Sequence, residues 1–247
     1  MALALLFAIG LFAGTLAGVV GTGSSLILLP ILVVMHGPKE AVPIMAIGSV
    51  MANLGRIWAW WRNIDWRLLF RYSLGSVPCA ALCAGTLVAI PAWIVDAVLG
   101  LFLLAVIPLR RRVGKGEREQ PAWITVASGA GVGYLTGLVQ STGPLSVAVF
   151  ASFGMKAGTL LGTESAASLL IYGTKTSTFG LLGVITRPIL LSGIFIGSSM
   201  LLGAFSGKRI VKRIGEKRFD LVLDVIMGFN AAVMLAAAFH EYGQTGT

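Results

Sequence analysis

Long apolar runs separated by short polar clusters dominate the sequence. A helix needs about 20 apolar residues to cross the hydrocarbon core of a bilayer, and six runs approach or exceed that length. They are residues 41–61, 68–90, 93–109, 157–184, 189–206 and 219–239. Two further runs, residues 1–35 and 122–153, are longer than one crossing and are interrupted by small polar residues. The pattern predicts an all-α membrane protein, a polytopic helical bundle.

Each interrupted run is expected to contain a broken helix that either crosses the membrane once or re-enters from the side that it left. Two single crossings would divide the basic clusters at residues 62–71, 110–118 and 208–218 between the two sides of the membrane. Two re-entrant hairpins would put all three clusters on one side. Because short cytoplasmic loops collect Lys and Arg, we expect hairpins, with both termini outside the cytoplasm.

The second half of the chain repeats short motifs of the first half in the same order. Residues 48–52, 75–76 and 96–100 match residues 162–166, 197–198 and 224–228, and the small residues Gly14 and Gly18 match Gly133 and Gly137. This small-xxx-small spacing lets helices approach closely in lipid. We expect repeats at residues 1–109 and 122–240, joined by a basic cytoplasmic linker at 110–121. One hairpin and three crossings per repeat is an odd number of crossings, so the second repeat is expected to be inverted.

Composition excludes several classes of protein. With 56% hydrophobic and 12% charged residues, the chain is unlike a soluble domain, which has about 25% charged residues. The net charge of +9 lies in clusters between apolar runs and indicates membrane topology, not nucleic-acid binding. Two Cys and two His give no metal cluster, and no phosphate-binding loop is found. We therefore expect no metal and no cofactor. We also expect no enzymatic activity, because no His lies in a predicted span to activate Ser24 or Ser141 as a nucleophile.

The order and spacing of the breaks resemble the TauE/SafE family, also called the sulfite exporter or TSUP family. The resemblance rests on the glycine-rich segment 18–25 followed by Pro30, a helix that opens Gly-Ser or Gly-Thr, and a second copy of both. It covers nearly the whole chain. It implies a transporter, an exporter in the bacterial cytoplasmic (inner) membrane, for a small sulfur-containing anion such as sulfite, thiosulfate or an organosulfonate.

The two breaks are the first candidates for the binding site. Non-helical backbone at membrane depth is tolerated where it lines a wet cavity, and broken helix ends present amides and hydroxyls to an oxyanion. The alternative is that these small polar residues only cap helix ends. The substrate-binding candidates at the breaks are Thr22, Gly23, Ser24, Ser25, Gln140, Ser141, Thr142 and Gly143.

Two polar stripes supply the other candidates. One helical face of the run 41–61 carries Ser49, Asn53, Arg56 and Trp60, and the counterpart run 157–184 carries Thr163, Glu164, Ser168, Tyr172 and Lys175. A charge at mid-bilayer costs about 2.5–3.5 kcal/mol, so charged residues in a span are functional candidates. We expect Glu164 to exchange a proton during transport, and we expect substrate binding by Ser49, Asn53, Arg56, Thr163 and Lys175. The alternatives are that Arg56 reaches the membrane surface and that Lys175 pairs with a carboxylate.

Other polar features are expected to be structural. Trp58, Trp60, Trp61 and Trp66 surround the basic end of one span and are typical of an interfacial aromatic belt. Asp96 and Asp224 lie near the predicted starts of two helices, where a carboxylate interacts favourably with the helix dipole. The expected partners are a small anion and the lipid bilayer; a coupling proton or ion and a homo-oligomer are compatible with the sequence. An anion channel, or a carrier for another solute or a cation, is the alternative function.

Overall fold

The computed structural model describes residues 2–21, 24–84, 101, 104, 107–108, 121–138, 143–214 and 216–245. Within these ranges every regular element is helical, so the predicted all-α class is confirmed. The helices are α1 (Ala2–Val20), α2 (Ser24–His36), α3 (Pro38–Trp60), α4 (Trp66–Ala84), α5 (Ala122–Leu138), α6 (Gly143–Ser152), α7 (Ala157–Leu181), α8 (Arg187–Ile214) and α9 (Glu216–Thr245), with a 3-10 turn at Trp61–Asn63. The linker predicted at 110–121 and most of the crossing predicted at 93–109 lie outside the described residues.

The helices coincide with the predicted apolar runs over most of their length, but they begin and end at different residues. By length and composition, Glu40–Asn63 and Arg187–Arg213 are able to cross a membrane, and Leu5–Val20, Ile27–His36 and Gly143–Ser152 are shorter apolar helices. Helices α8 and α9 extend beyond their apolar runs into the basic cluster, because Lys, Arg and Glu are good helix formers. Asp224 consequently lies about two turns inside α9, so the prediction that it sits near a helix start is wrong.

Closely packed glycines join α1 to α8 and α4 to α5. A Cβ added to Gly18 would lie 2.7 Å from the Ala204 carbonyl oxygen, and one added to Gly133 would lie 2.7 Å from Ser76 Cα. These distances are shorter than any carbon contact allows, so only glycine permits such close packing. The predicted close approach is confirmed for Gly14, Gly18 and Gly133.

The order of contacts gives the direction of each helix in the first half. Along α8, Ile196, Met200 and Ala204 meet Gly10, Gly14 and Gly18 of α1 in ascending order, and Gly193, Gly197 and Leu201 meet Ile47, Met51 and Gly55 of α3. Helices α1, α3 and α8 therefore run in the same direction. Helix α2 runs against α3, because its first residue lies near Asn53 and its last, His36, lies 3.8 Å from Glu40. Helices α1 and α2 thus form an antiparallel hairpin.

The second half has a corresponding hairpin. Gly129 and Gly133 of α5 meet Tyr72 and Ser76 of α4 in ascending order, and the end of α5 contacts the last third of α7. Helices α4, α5 and α7 therefore share a direction. Helix α6 begins at the central cavity and ends at the turn that leads to the start of α7, so it runs against α7.

Helices α3 and α7 are the central antiparallel pair. Trp60, at the end of α3, packs on Gly158 at the start of α7, whereas Ser49 lies beside the middle of α7. The direction of α1 and α3 is therefore opposite to that of α5 and α7. Because α3 and α8 are parallel, Arg62, which follows α3, and Lys208, which lies in the last third of α8, are at the same end of the bundle.

Candidate functional site

A small cavity of about 30 Å³ lies where α3 and α7 meet the tips of both hairpins. This volume is about the share that one water molecule takes in the liquid. The cavity is lined by Ala17, Gly21, Ser24, Ser25, Ser49, Ala52, Asn53, Arg56, Gly143, Glu164, Ser168 and Tyr172. The structure therefore brings together predicted residues from both breaks and from both polar stripes.

Arg56 is the cation of this site. Its side chain is buried, with 5% of its surface exposed. Nη1 donates a hydrogen bond to Glu164 Oε2 at 2.8 Å and another to the Gly21 carbonyl oxygen, and Nη2 donates to Asn53 Oδ1. The guanidinium thus points into the protein and does not extend to the membrane surface, which removes the alternative considered from the sequence.

Glu164 balances the charge of Arg56. It is fully buried, and while Oε2 pairs with Arg56, Oε1 accepts a hydrogen bond from Ser168 Oγ at 2.6 Å. A buried ion pair survives when hydrogen bonds satisfy both partners, and removing one partner costs about 3–5 kcal/mol. The two residues come from helices of different halves, so the pair joins the halves of the chain at the cavity.

Gly21 fixes the tip of the first hairpin and was not among the predicted site residues. Its φ of +85° lies in the left-handed region that favours glycine, and a Cβ there would lie 2.8 Å from Val147 Cγ2 of the second hairpin. This conformation turns the Gly21 carbonyl oxygen to Arg56. The signal in the sequence was the glycine that opens the first break.

Two predicted residues lie away from the cavity. Thr163 Oγ1 accepts a hydrogen bond from the Asp65 backbone N–H at 2.9 Å, and Asp65 in turn caps the start of α4. Lys175 is buried, and its Nζ donates to the Thr136 carbonyl oxygen at 3.0 Å and lies 5.9 Å from the centre of the Phe179 ring. The structure therefore does not bring Thr163 and Lys175 to the cavity, and the substrate-binding role expected of them from the sequence is not tested by it.

Some of the site lies beyond the described residues. The predicted residues Thr22, Gly23, Gln140, Ser141 and Thr142 fall there, although the neighbours Gly21, Ser24 and Gly143 line the cavity. Ser168 and Tyr172 also line the cavity, although neither was predicted to bind substrate. Both belong to the polar segment of α7 that is the counterpart of residues 49–60, and Ser168 follows Glu164 by one helical turn, which was the signal for it.

The arrangement suits an anion that competes with a carboxylate. Arg56 Nε is buried and has no hydrogen-bond partner within the described part of the chain. The Arg56 guanidinium and the hydroxyl-bearing residues Ser24, Ser25 and Ser49 line the same cavity. Because Glu164 holds Arg56 through Nη1, an anion that bound this guanidinium would compete with the carboxylate.

Broken helices that meet a buried charge at the middle of a helical bundle are typical of membrane transporters. Comparison with known proteins agrees with this class. A model of the family described as Sulfite exporter TauE/SafE matches residues 6–234, and the chain belongs to this family. The chain is therefore an integral membrane protein and a membrane transporter.

A relative of known sequence supports the same class. The chain is 28% identical over 221 residues to a protein of Bacillus subtilis (strain 168) named "Probable membrane transporter protein YjnA". The alignment covers 77% of this chain and 87% of that relative. No solved structure matches the chain.

Proposed function

We propose that the protein is a secondary transporter of the bacterial inner membrane that exports a small sulfur-containing anion, such as sulfite, thiosulfate or an organosulfonate. The observation that carries the proposal is the Arg56–Glu164 ion pair, which lies between the two hairpin tips. A planar guanidinium binds oxyanions through paired N–H donors. The sulfur in the substrate comes from the family, whose description names sulfite.

Glu164 is the coupling residue in this proposal. The ion pair is neutral by itself, because one guanidinium faces one carboxylate. When an anion takes the place of the carboxylate on Arg56, the site gains the negative charge of that anion in a region of low dielectric. Protonation of Glu164 removes one negative charge, which restores neutrality for a monovalent anion and leaves one negative charge for a divalent anion such as thiosulfate. The anion and the proton then move together. An anion produced inside the cell would leave it down its own gradient.

Alternating access between two inverted repeats is the proposed mode of transport. The opposite directions of α1 and α3 on one side and of α5 and α7 on the other support this arrangement, as do the two antiparallel hairpins. The shared location of Arg62, after α3, and of Lys208 and Lys212, in the last third of α8, supports a cytoplasmic position for that end of the bundle.

Transport by purified protein in liposomes tests the proposal. Vesicles that contain unlabelled sulfite, thiosulfate or sulfoacetate are diluted into trace labelled anion, and uptake is followed at several external pH values. A carrier gives saturable uptake that the internal anion accelerates, whereas a channel gives flux that does not saturate. We expect Arg56→Gln to abolish uptake and Glu164→Gln to remove its pH dependence.

Arg187→Gln is the matched control, because Arg187 is exposed at the start of α8, away from the cavity. It should transport like the unmodified protein. Uptake that keeps its full pH dependence in Glu164→Gln would exclude Glu164 from coupling. Uptake of all three anions that persists in Arg56→Gln would exclude the central pair as the binding site.

A further inference from the structure

A second, larger cleft lies outside the central site, at the basic end of the bundle. It has a volume of about 980 Å³ and lies between the end of α3, the 3-10 turn and the second half of α8. This is within the size range of small-molecule pockets, about 300–1,000 Å³. The proposed transport mechanism makes no use of it.

Three cations line the charged part of the cleft. Arg62 follows α3, and Lys208 and Lys212 lie one turn apart on α8. No carboxylate lines the cleft among the residues that the structure describes. Lys208 Nζ is held in place, since it donates to the Ala59 carbonyl oxygen and lies 5.3 Å from the centre of the Trp60 ring. The cleft therefore concentrates positive charge around one ordered ammonium group.

The rest of the cleft is apolar and aromatic. Its wall continues from the cations through Trp61 and Trp58 to Leu54 and Leu201 on the sides of α3 and α8. Trp58 and Trp61 are 75% and 59% exposed, as expected of side chains at the membrane interface. Trp60 differs from the predicted aromatic belt, because it is only 6% exposed and packs under Lys208. A ligand of this cleft meets charge at one end and an apolar wall at the other.

We propose that this cleft binds the phosphate headgroup of an anionic phospholipid, with the acyl chains along Leu54, Trp58 and Leu201. A phospholipid has the same order of groups as the cleft, an anionic head followed by apolar tails. Basic pockets between helices at the cytoplasmic side of a membrane are suited to anionic lipid headgroups. A small free anion would use the cations and leave the apolar wall without a partner.

Lipid-dependent thermal stability of the purified full-length protein in detergent tests this proposal. Phosphatidylglycerol is titrated and compared with phosphatidylcholine, and with glycerol phosphate and inorganic phosphate, which have the charge but no acyl chains. A ligand that binds the folded state raises the melting temperature. We expect saturable stabilisation by phosphatidylglycerol and none by the other three at equal concentration.

Two double variants with the same change in net charge separate the cleft from general electrostatics. Lys208→Gln/Lys212→Gln alters the cleft, whereas Arg209→Gln/Arg213→Gln alters neighbouring exposed positions of α8 that do not line it. At about 1 kcal/mol per cation, the lysine variant should raise the half-saturating lipid concentration about thirtyfold. The arginine variant should raise it less than about threefold.

Several outcomes would overturn the lipid site. They are equal stabilisation by phosphatidylcholine, equal loss in both double variants, and stabilisation by glycerol phosphate or inorganic phosphate at the same concentration as the lipid. The last would assign the cleft to a soluble anion. If the lysine variant fails to fold, Lys208→Arg/Lys212→Arg, which keeps the charge, and Arg62→Gln provide the comparison. The lipid test measures melting temperature and the test of the proposed function measures anion uptake. A protein that fails to transport any of the anions can therefore still confirm or refute the lipid site.

Discussion

Separating the two members of the central ion pair should destabilise the protein whichever partner is removed. Arg56→Gln leaves the Glu164 carboxylate buried with Ser168 as its hydrogen-bond donor. Glu164→Gln leaves the Arg56 guanidinium buried with Asn53 and the Gly21 carbonyl oxygen as its acceptors. Because the remaining charge has lost its counter-charge, each single variant should lose about 3–5 kcal/mol.

Thermal unfolding of the purified variants in detergent measures these losses. For a chain of this size, 1 kcal/mol shifts the melting temperature by about 2–4 °C, so each single variant should melt about 6–20 °C below the unmodified protein. The double variant Arg56→Gln/Glu164→Gln leaves neither charge of the pair in the cavity, and its loss should be several kcal/mol smaller than the sum of the single losses. Arg187→Gln is the control. Single losses that simply add in the double variant would refute the buried pair.

Three further predictions concern positions outside the pair. Gly133→Ala should destabilise the protein by about 1–3 kcal/mol, because its Cβ would meet the backbone of α4. Gly131→Ala on the same helix is the control, since its Cβ meets nothing within 4 Å, and it should not lower the melting temperature. Thr163→Val should cost about 1–3 kcal/mol by leaving a backbone amide without its acceptor, with unchanged anion affinity in the uptake assay; a tenfold weaker affinity would place Thr163 in the site. Lys175→Met changes a residue about 16 Å along the helix from Glu164, so anion affinity should stay within about twofold, and a larger loss would extend the binding path to Lys175.

The sequence predicted the positions of residues best where they depend on the geometry of a single helix. Ser49, Asn53 and Arg56 share a face because of the helical period alone, and all three line the cavity. The close approach at Gly14 and Gly133 followed from small-residue spacing for the same reason. The ends of α8 and α9 were missed, because an apolar pattern ends at the first charged residue while a helix of Lys, Arg and Glu continues.

The sequence was least informative where two distant segments meet. Arg56 and Glu164 are 108 positions apart, and nothing in either local pattern identifies the other as its partner. Thr163 and Glu164 are neighbours in sequence, yet successive residues on a helix point about 100° apart. The carboxylate faces the cavity, and the hydroxyl faces the start of α4.

The glycine contacts determine which parts of the molecule move as units. The first helix of each half is packed, through backbone contact, against a helix of the other half: α1 against α8 and α5 against α4. The two halves of the chain are therefore interlocked, because each contributes its first helix to a tightly packed pair with a helix of the other half. Any rearrangement that opens the cavity has to carry α1 with α8 and α5 with α4, so the moving bodies combine both halves of the sequence.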